Sequence, residues 1–551
     1  MKKQTFIFSS AILIFSAAAT KLIGALFRIP LANMLGGTGM GYFSGAYGIF
    51  MTVYAISVTG LPTAVAKLVA ENSALGHYTN IRKIKSTAIV FFGTAGLIFS
   101  IILIAAAYPF CLLTSGTETV PSVLMIAPSI FFCCITSVYR GYYEGLRNMF
   151  PTAVSQVIEG IFKLGAGLAF CIYVLKNPEK FDCIRAFFGN CGITSVAAAA
   201  AILGITVSSA AGTLFLIIRD KLSGDGITDS QLKSSTNQQN GESTRTVISK
   251  LLETALPVAV GALVANLTSL IDLVTVTRSL EKAVHDTPKL FVEMTGMENI
   301  SLIPTFLFGS FTGLAVTVFN LVPSFTNMFG KGILPPLSEA FTANDKPLII
   351  MNTEKAILST AIIALPSGFG ILALADKILG FLFSEKPLEA RLCVSSMSML
   401  GMAVIFLCIS STVFSVLQAA GKPQLPVKLM LIGVAVKLVG NIILVPIPEL
   451  NIAGAAISTL LCYAAICIPA VYFMVKLTGI SFSKFSVNIC KLCYCSVMCA
   501  VAAKLTENIL SNALDTSFVL FISIFVGVIF YIICALLLGI FTKSTLKLLI
   551  S

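Results

Sequence analysis

Charge is scarce in this sequence. Only 11% of its 551 residues are Asp, Glu, Lys or Arg, while 56% are hydrophobic. A soluble globular domain is usually about one quarter charged. The shortage runs from end to end, which excludes a soluble domain carrying a single membrane anchor. Histidine is rarer still. His77 and His285 are the only two, too few for a His-based metal or acid–base centre. No Gly-rich loop ends in Lys-Ser or Lys-Thr, so a P-loop nucleotide-driven pump is excluded. There is no HExxH and no nucleophile elbow, and the chain reads as a non-enzyme. No selectivity-filter sequence occurs either. Fifteen cysteines are present, but they are scattered through apolar segments. Their densest group, Cys490, Cys493, Cys495 and Cys499, has no second pair or nearby His to complete four ligands. They read as small apolar helix residues, and no metal or cofactor is expected.

What fills the chain is hydrophobic helix. A membrane span needs about 20 apolar residues, and about fourteen such segments follow one another. Their cores fall near 5–27, 42–68, 86–110, 120–139, 151–175, 193–218, 251–277, 303–328, 356–381, 392–417, 425–446, 452–475, 485–503 and 517–540. The apolar run behind Met1-Lys2-Lys3 continues past Lys21 to Leu31 and reads as a first span rather than a cleaved signal peptide. The Gly-rich stretch Gly36–Gly41 then reads as a turn between the first two spans. With the N-terminus inside, basic residues such as Lys83, Lys85, Arg140, Arg147, Arg219, Lys221 and Lys422 collect in cytoplasmic loops. Acids such as Glu118, Glu293 and Glu449 fall on the opposite side. Both termini are then cytoplasmic in a multi-pass protein of the cell membrane. The net charge of +12 is largely topological, so no nucleic-acid partner is implied.

The longest polar stretch, 219–250, lacks periodicity and reads as a cytoplasmic linker. It separates an N-lobe of six spans, 1–218, from a C-lobe of six spans, 251–475. Two further spans occupy 476–551. Gly60-Leu61-Pro62 is echoed by Gly332-Ile333-Leu334-Pro335. The approach to Lys163 through Gly145–Pro151 is echoed by the approach to Lys437 through Gly421–Pro426. Six spans per copy make this a parallel repeat. The expected fold is therefore all-α and polytopic, with two parallel-repeat lobes around a central cavity.

Ionisable residues inside spans cost about 2.5–3.5 kcal/mol each and mark a wet cavity or mutual pairing. Lys21 and Arg28 share a face of the first span. Gln156, Glu159 and Lys163 share a face of the fifth, where Glu159 and Lys163 stand four apart and read either as a neutralising pair or as part of the cavity. Asp272 lies within the seventh span and Arg278 at its end. Lys437 and Asn441 share a face of the eleventh. These nine are the candidate substrate-binding residues. Their charges sum to an excess of cation, which suits an anionic ligand with a large polar body.

The residues also carry a resemblance. Lys21-Leu22-Ile23-Gly24-Ala25-Leu26-Phe27-Arg28-Ile29-Pro30 with Asn33 and Gly36, the segment Thr59–Glu71, and Arg140-Gly141-Tyr142-Tyr143-Glu144-Gly145 with Pro151, Gln156 and Glu159 resemble the polysaccharide transporter branch of the MOP exporter superfamily. The likeness extends to the stage V sporulation protein B group and related lipid II flippases. It covers most of the chain. It implies a MATE-like, fourteen-helix, two-lobed transporter that works by alternating access. The implied cargo is a lipid-linked oligosaccharide of the undecaprenyl-pyrophosphate type, such as a precursor of peptidoglycan or another envelope polysaccharide. Na+ or H+ is an implied coupling ion, and membrane lipids surround the protein. The family's cavity cations map onto Lys21 and Arg28. This sequence offers no buried arginine in its second or eighth span, where Asn320 is the nearest polar group. Two other readings stay open. One is a cation-coupled multidrug exporter of the MATE branch, which calls for an acidic cavity. The other is a non-transporting scaffold of a cell-wall assembly complex.

Overall fold

A computed structural model describes residues 6–114, 116–224, 226–228, 232, 243–511 and 516–540. Most of the linker, including Gln238, lies outside the described residues. Among the described residues the regular structure is helical, with no strand. Hydrocarbon offers no partner to a backbone N–H or C=O, so each spanning segment has to close its own hydrogen bonds. Thirteen helical stretches among these residues are long and apolar enough to cross a membrane. One of them, Ala19–Ala74, has 56 residues, a length of about 84 Å. A hydrocarbon core of about 30 Å cannot hold that as one crossing, and the stretch takes in the end of the expected first span, 5–27, and the whole of the second, 42–68. The chain is an all-α, multi-pass membrane protein.

The expected turn at Gly36–Gly41 is a single-residue break instead. Helix α1 runs over Phe6–Ser57, with non-helical backbone only at Gly36 (φ 63°, ψ −172°). A residue with a Cβ is excluded from that conformation by sterics, so glycine supplies the break and helix resumes at once.

The described helices group into two compact units, residues 1–35 with 39–274, and 36–38 with 275–551. In the first unit α1 is followed by α2 (Leu61–Ala74), α3 (Tyr78–Thr114), α4 (Val120–Ile126), α5 (Pro128–Gly145), α6 (Phe150–Lys176), α7 (Asp182–Phe187), α8 (Ile193–Ser223) and α9 (Thr244–Ile271). The units divide at residues 274 and 275, and within the first of them α9 packs on α2 and α3.

Small residues let these helices approach closely, as they do where lipid supplies no hydrophobic drive. A Cβ on Gly141 would lie 2.5 Å from the Pro62 carbonyl oxygen, and one on Gly145 would lie 2.7 Å from that of Ala66. This docks α5 on α2. Basic residues expected in loops prove to be helical. Lys85 of α3 pairs with Asp220 of α8, which also accepts a hydrogen bond from the Tyr143 hydroxyl at 3.3 Å. The Lys85 amine sits 4.7 Å from the Tyr142 ring centre, and the Arg219 guanidinium 5.1 Å from that of Tyr143. At the opposite helix ends the Tyr42 hydroxyl donates to Glu118 at 2.5 Å, and Ser195 donates to the Glu118 carbonyl at 2.5 Å.

The second unit contains α10 (Thr277–Asp286), α11 (Pro288–Thr295), α12 (Ile303–Ser310), α13 (Val316–Phe319), α14 (Leu321–Thr342), α15 (Lys346–Leu382), α16 (Pro387–Leu392), α17 (Val394–Ala419), α18 (Gln424–Leu444), α19 (Asn451–Thr478), α20 (Phe482–Leu510) and α21 (Thr516–Leu537). The expected eighth span is longer than its apolar core suggested. It runs over Ile300–Thr342, through a π-helical segment at Phe311–Ala315 and past Pro335 and Pro336. Helices α20 and α21 pack on each other and on α15.

Candidate functional site: a cationic face in the first unit

Helix α6 starts at Phe150 with Pro151 in its first turn, where a missing N–H costs nothing. Gln156, Glu159 and Lys163 follow three and four apart and so share a face. Glycines set what that face meets. A Cβ on Gly160 would lie 3.1 Å from Ile23 Cδ1, and one on Gly167 would lie 2.6 Å from Phe27 Cε2. Helix α1 therefore lies close along α6, bringing Lys21, Phe27 and Arg28 beside Lys163. On the far side Gly204 of α8 closes directly on the Gly167 backbone.

The cations converge on one aromatic ring. The Arg28 guanidinium lies 5.5 Å from the centre of Tyr47, and the Lys163 amine lies 5.6 Å from the same ring and 5.3 Å from that of Phe27. Phe27, Phe43 and Tyr47 form a run of ring contacts with centroids 6.0 and 6.1 Å apart. Lys21, Arg28 and Glu159 are within electrostatic range of Lys163. Arg28 and Lys163 are half-buried, and Lys21 is exposed.

The expected pairing of Glu159 with Lys163 is replaced by another. Glu159 Oε1 lies 2.9 Å from the Arg140 guanidinium, whose Nε donates to Ser155 Oγ at 3.0 Å. Arg140 was expected in a cytoplasmic loop, but α5 continues to Gly145 and carries it inside the unit. An Arg fork holds a carboxylate better than a Lys four residues away on the same helix can. Among the described residues no carboxylate lies within ion-pair distance of Lys163. Gln156 accepts a hydrogen bond from the Ser16 hydroxyl at 3.0 Å through its Oε1, so its amide nitrogen supplies donors.

A cation–π contact returns about 0.5–2 kcal/mol, against about 2.5–3.5 kcal/mol to place each charge in a membrane. Arg28 and Lys163 are therefore poorly compensated by what surrounds them. The face can hold an anion: two amines, a guanidinium, an amide and the Tyr47 hydroxyl are all donors.

The other candidates lie elsewhere. Asp272 opens a π-helical segment, Asp272–Val276, at the end of the first unit and is half-buried. Arg278 belongs to the second unit and is exposed, with Glu281 in electrostatic range. Lys437 and Asn441 of α18 are both buried in the second unit. The Asn441 amide donates to Thr275 Oγ1 at 2.9 Å, and Ser458 donates to the Lys437 carbonyl at 2.9 Å. Thus Lys21, Arg28, Gln156, Glu159 and Lys163 come together in one unit, and Lys437 with Asn441 in the other. Tyr47 and Arg140 are additions to the expected set. Tyr47 carried a signal in the spacing Phe43, Tyr47, Phe50, Tyr54, which is one face of a helix.

Comparison with known proteins agrees with this architecture. Stage V sporulation protein B of Bacillus subtilis (strain 168) is 26% identical over 464 residues, which is 83% of this chain and 81% of that protein. Lipid II flippase MurJ of the same organism is 23% identical over 542 residues, 95% of this chain and 94% of that protein. A solved structure of lipid II flippase MurJ in an inward closed conformation superposes with a TM-score of 0.65 at 16% identity, covering 96% of this chain and 98% of that one. Residues 8–341 match the family described as polysaccharide biosynthesis protein, and the chain belongs to that family.

Proposed function

We propose that this protein is a flippase that carries an undecaprenyl-pyrophosphate-linked saccharide, lipid II or a related envelope precursor, across the cytoplasmic membrane. The observation that carries the reading is the convergence of Arg28 and Lys163 on Tyr47, with Lys21 in range, while Glu159 is engaged by Arg140. A pyrophosphate brings two or more negative charges and offsets the cost of that face. Gln156 and the Tyr47 hydroxyl suit its oxygens and the first sugar. The name of one Bacillus relative, lipid II flippase MurJ, supports the same class of cargo.

Transport in this reading follows from alternating exposure of the headgroup site to the two sides of the membrane, with the lipid tail left in hydrocarbon. The six-span repeats 1–218 and 251–475, the cytoplasmic linker, the cytoplasmic termini and the accessory segment 476–551 are parts of the same proposal. So are roles for Asp272, Arg278, Lys437 and Asn441. Na+ or H+ coupling or the membrane potential would drive it, one charge through 100 mV being worth about 2.3 kcal/mol.

A MATE-type drug exporter would bring a cation to this face and raise its cost. A scaffold would be indifferent to the charges. Proteoliposome flipping of fluorescent lipid II and of other lipid-linked oligosaccharides separates the three. Flipping that falls at least tenfold in Lys21→Ala and Lys163→Ala, with the protein still folded, supports the flippase. Sodium- or proton-driven uptake of cationic dyes without lipid flipping would replace it with the exporter. Unchanged flipping in both variants would remove the proposed site.

A further inference from the structure

Between α6 and α8 the first unit makes a short excursion that the cationic face does not explain. Residues 177–192 hold a 3-10 turn, Pro178–Phe181, and the short helix α7. One span ends at Lys176 and the next begins at Ile193, so the excursion lies where two spans meet the membrane surface. It is at the end of the unit away from the linker, because α8 runs from here to Ser223.

The excursion is held in shape. Gly189 (φ 76°) and Asn190 (φ 58°) turn the chain back after α7. Arg185 Nε donates to the Cys191 carbonyl at 3.1 Å, and the Cys191 N–H donates to the Arg185 carbonyl at 3.3 Å. Arg185 also pairs with Asp182 at 2.9 Å, and Cys191 is buried. With Arg185 drawn toward Cys191, Ile184 and Phe187 share the other side of α7. Phe187 is 83% exposed, the highest value for a large apolar side chain among the described residues, and Ile184 is exposed beside it. The closed loop keeps both from folding back, so their apolar contact lies outside the chain.

Helix α6 shows what that contact is. Phe162, Ala169, Tyr173 and Lys176 are exposed along one of its faces at helical spacing. An exposed, apolar face of a spanning helix meets acyl chains, and here Tyr173 and Lys176 end it. Aromatic rings and snorkelling cations mark a membrane interface in that order. Phe181 carries the same face into the excursion, its ring edge-on to Tyr173 with centroids 6.0 Å apart. The Lys180 amine lies 5.4 Å from the Tyr173 ring centre and donates to the Tyr173 hydroxyl at 3.4 Å. The apolar surface of the excursion is thus continuous with a lipid-facing one, with cations at the level of the headgroups.

We propose that residues 177–192 form an interfacial membrane anchor, in which Ile184 and Phe187 insert into the leaflet at that end of the first unit. Insertion reaches about 5–10 Å into the boundary between headgroups and acyl chains, and Lys176 and Lys180 face the phosphates. A protein partner would not require the continuity with the lipid face of α6. The anchor uses no residue of the cationic face, so it stands whether or not the protein flips lipid-linked saccharides.

The sequence contains no Trp, so a single introduced indole reports its own surroundings. The test places full-length Phe187→Trp protein in nanodiscs of phosphatidylglycerol and phosphatidylcholine. Its fluorescence is compared in ordinary lipid, in lipid brominated near the head of the acyl chains, and in lipid brominated near their tails. Tyr173→Trp, on the lipid face of α6, sets the scale for lipid contact, and Phe187→Trp unfolded in denaturant sets the scale for water. The expected result is emission blue-shifted from the unfolded protein, with at least about a twofold loss of intensity in head-brominated lipid and a smaller loss in tail-brominated lipid. Should Phe187→Trp not fold, Ile184→Trp reads the same face. Emission matching the unfolded protein, with quenching by iodide in the water, overturns the proposal. Blue-shifted emission that brominated lipid leaves unchanged also overturns it, by showing that the face is covered by protein.

Discussion

Glu159 offers the sharpest perturbation, because its partner distinguishes a local sequence pair from a tertiary one. Its carboxylate lies 2.9 Å from Arg140, with the two side chains 24% and 16% exposed. Breaking a buried pair by removing one partner costs about 3–5 kcal/mol, since the other charge is left uncompensated. The residual exposure screens part of this, so about 2–3 kcal/mol is expected for Arg140→Ala. Among the described residues Lys163 meets ring faces and distant charges, so Lys163→Ala should change stability by less than about 1 kcal/mol and can even raise it. Double-mutant cycles on detergent-solubilised protein, read by chemical denaturation, give both couplings. The Arg140–Glu159 coupling should be at least about 1.5 kcal/mol, and that between Glu159 and Lys163 less than half of it. Gly212 provides a check from the far side. A Cβ there would lie 2.5 Å from Glu159 Oε1, so Gly212→Ala should displace the carboxylate and lose much of the Arg140 coupling. A larger coupling with Lys163 than with Arg140 would refute the assignment and return Glu159 to its helical neighbour.

Three further outcomes follow from the same structure. Gly36→Ala places a Cβ on a backbone at φ 63°, ψ −172° and should cost about 1–3 kcal/mol, measured by denaturant titration; an unchanged midpoint would remove the break as a glycine requirement. Tyr47→Phe keeps the ring beneath Arg28 and Lys163 and should retain stability while losing a donor to the ligand. Tyr47→Ala should lose both, and thermal shift with and without a pyrophosphate lipid separates the two effects. A single cysteine at Gln238 in a cysteine-free background should react with an impermeant thiol reagent only after permeabilisation; labelling in intact cells would reverse the proposed topology.

The sequence alone determined that this is a polytopic, all-α membrane protein. Low charge and repeated apolar runs of span length leave a backbone in hydrocarbon no alternative to helix. It also placed Lys21, Arg28, Gln156, Glu159 and Lys163 on two helix faces, because helical spacing is a local rule. What it could not decide was which partner each charge takes. Four residues along α6 suggested Lys163 for Glu159, while the close approach of α5, set by glycines and by a helix that runs on to Gly145, delivered Arg140 instead. Tertiary packing likewise placed Tyr47 between Arg28 and Lys163, since the contact depends on a one-residue break at Gly36 followed by resumed helix.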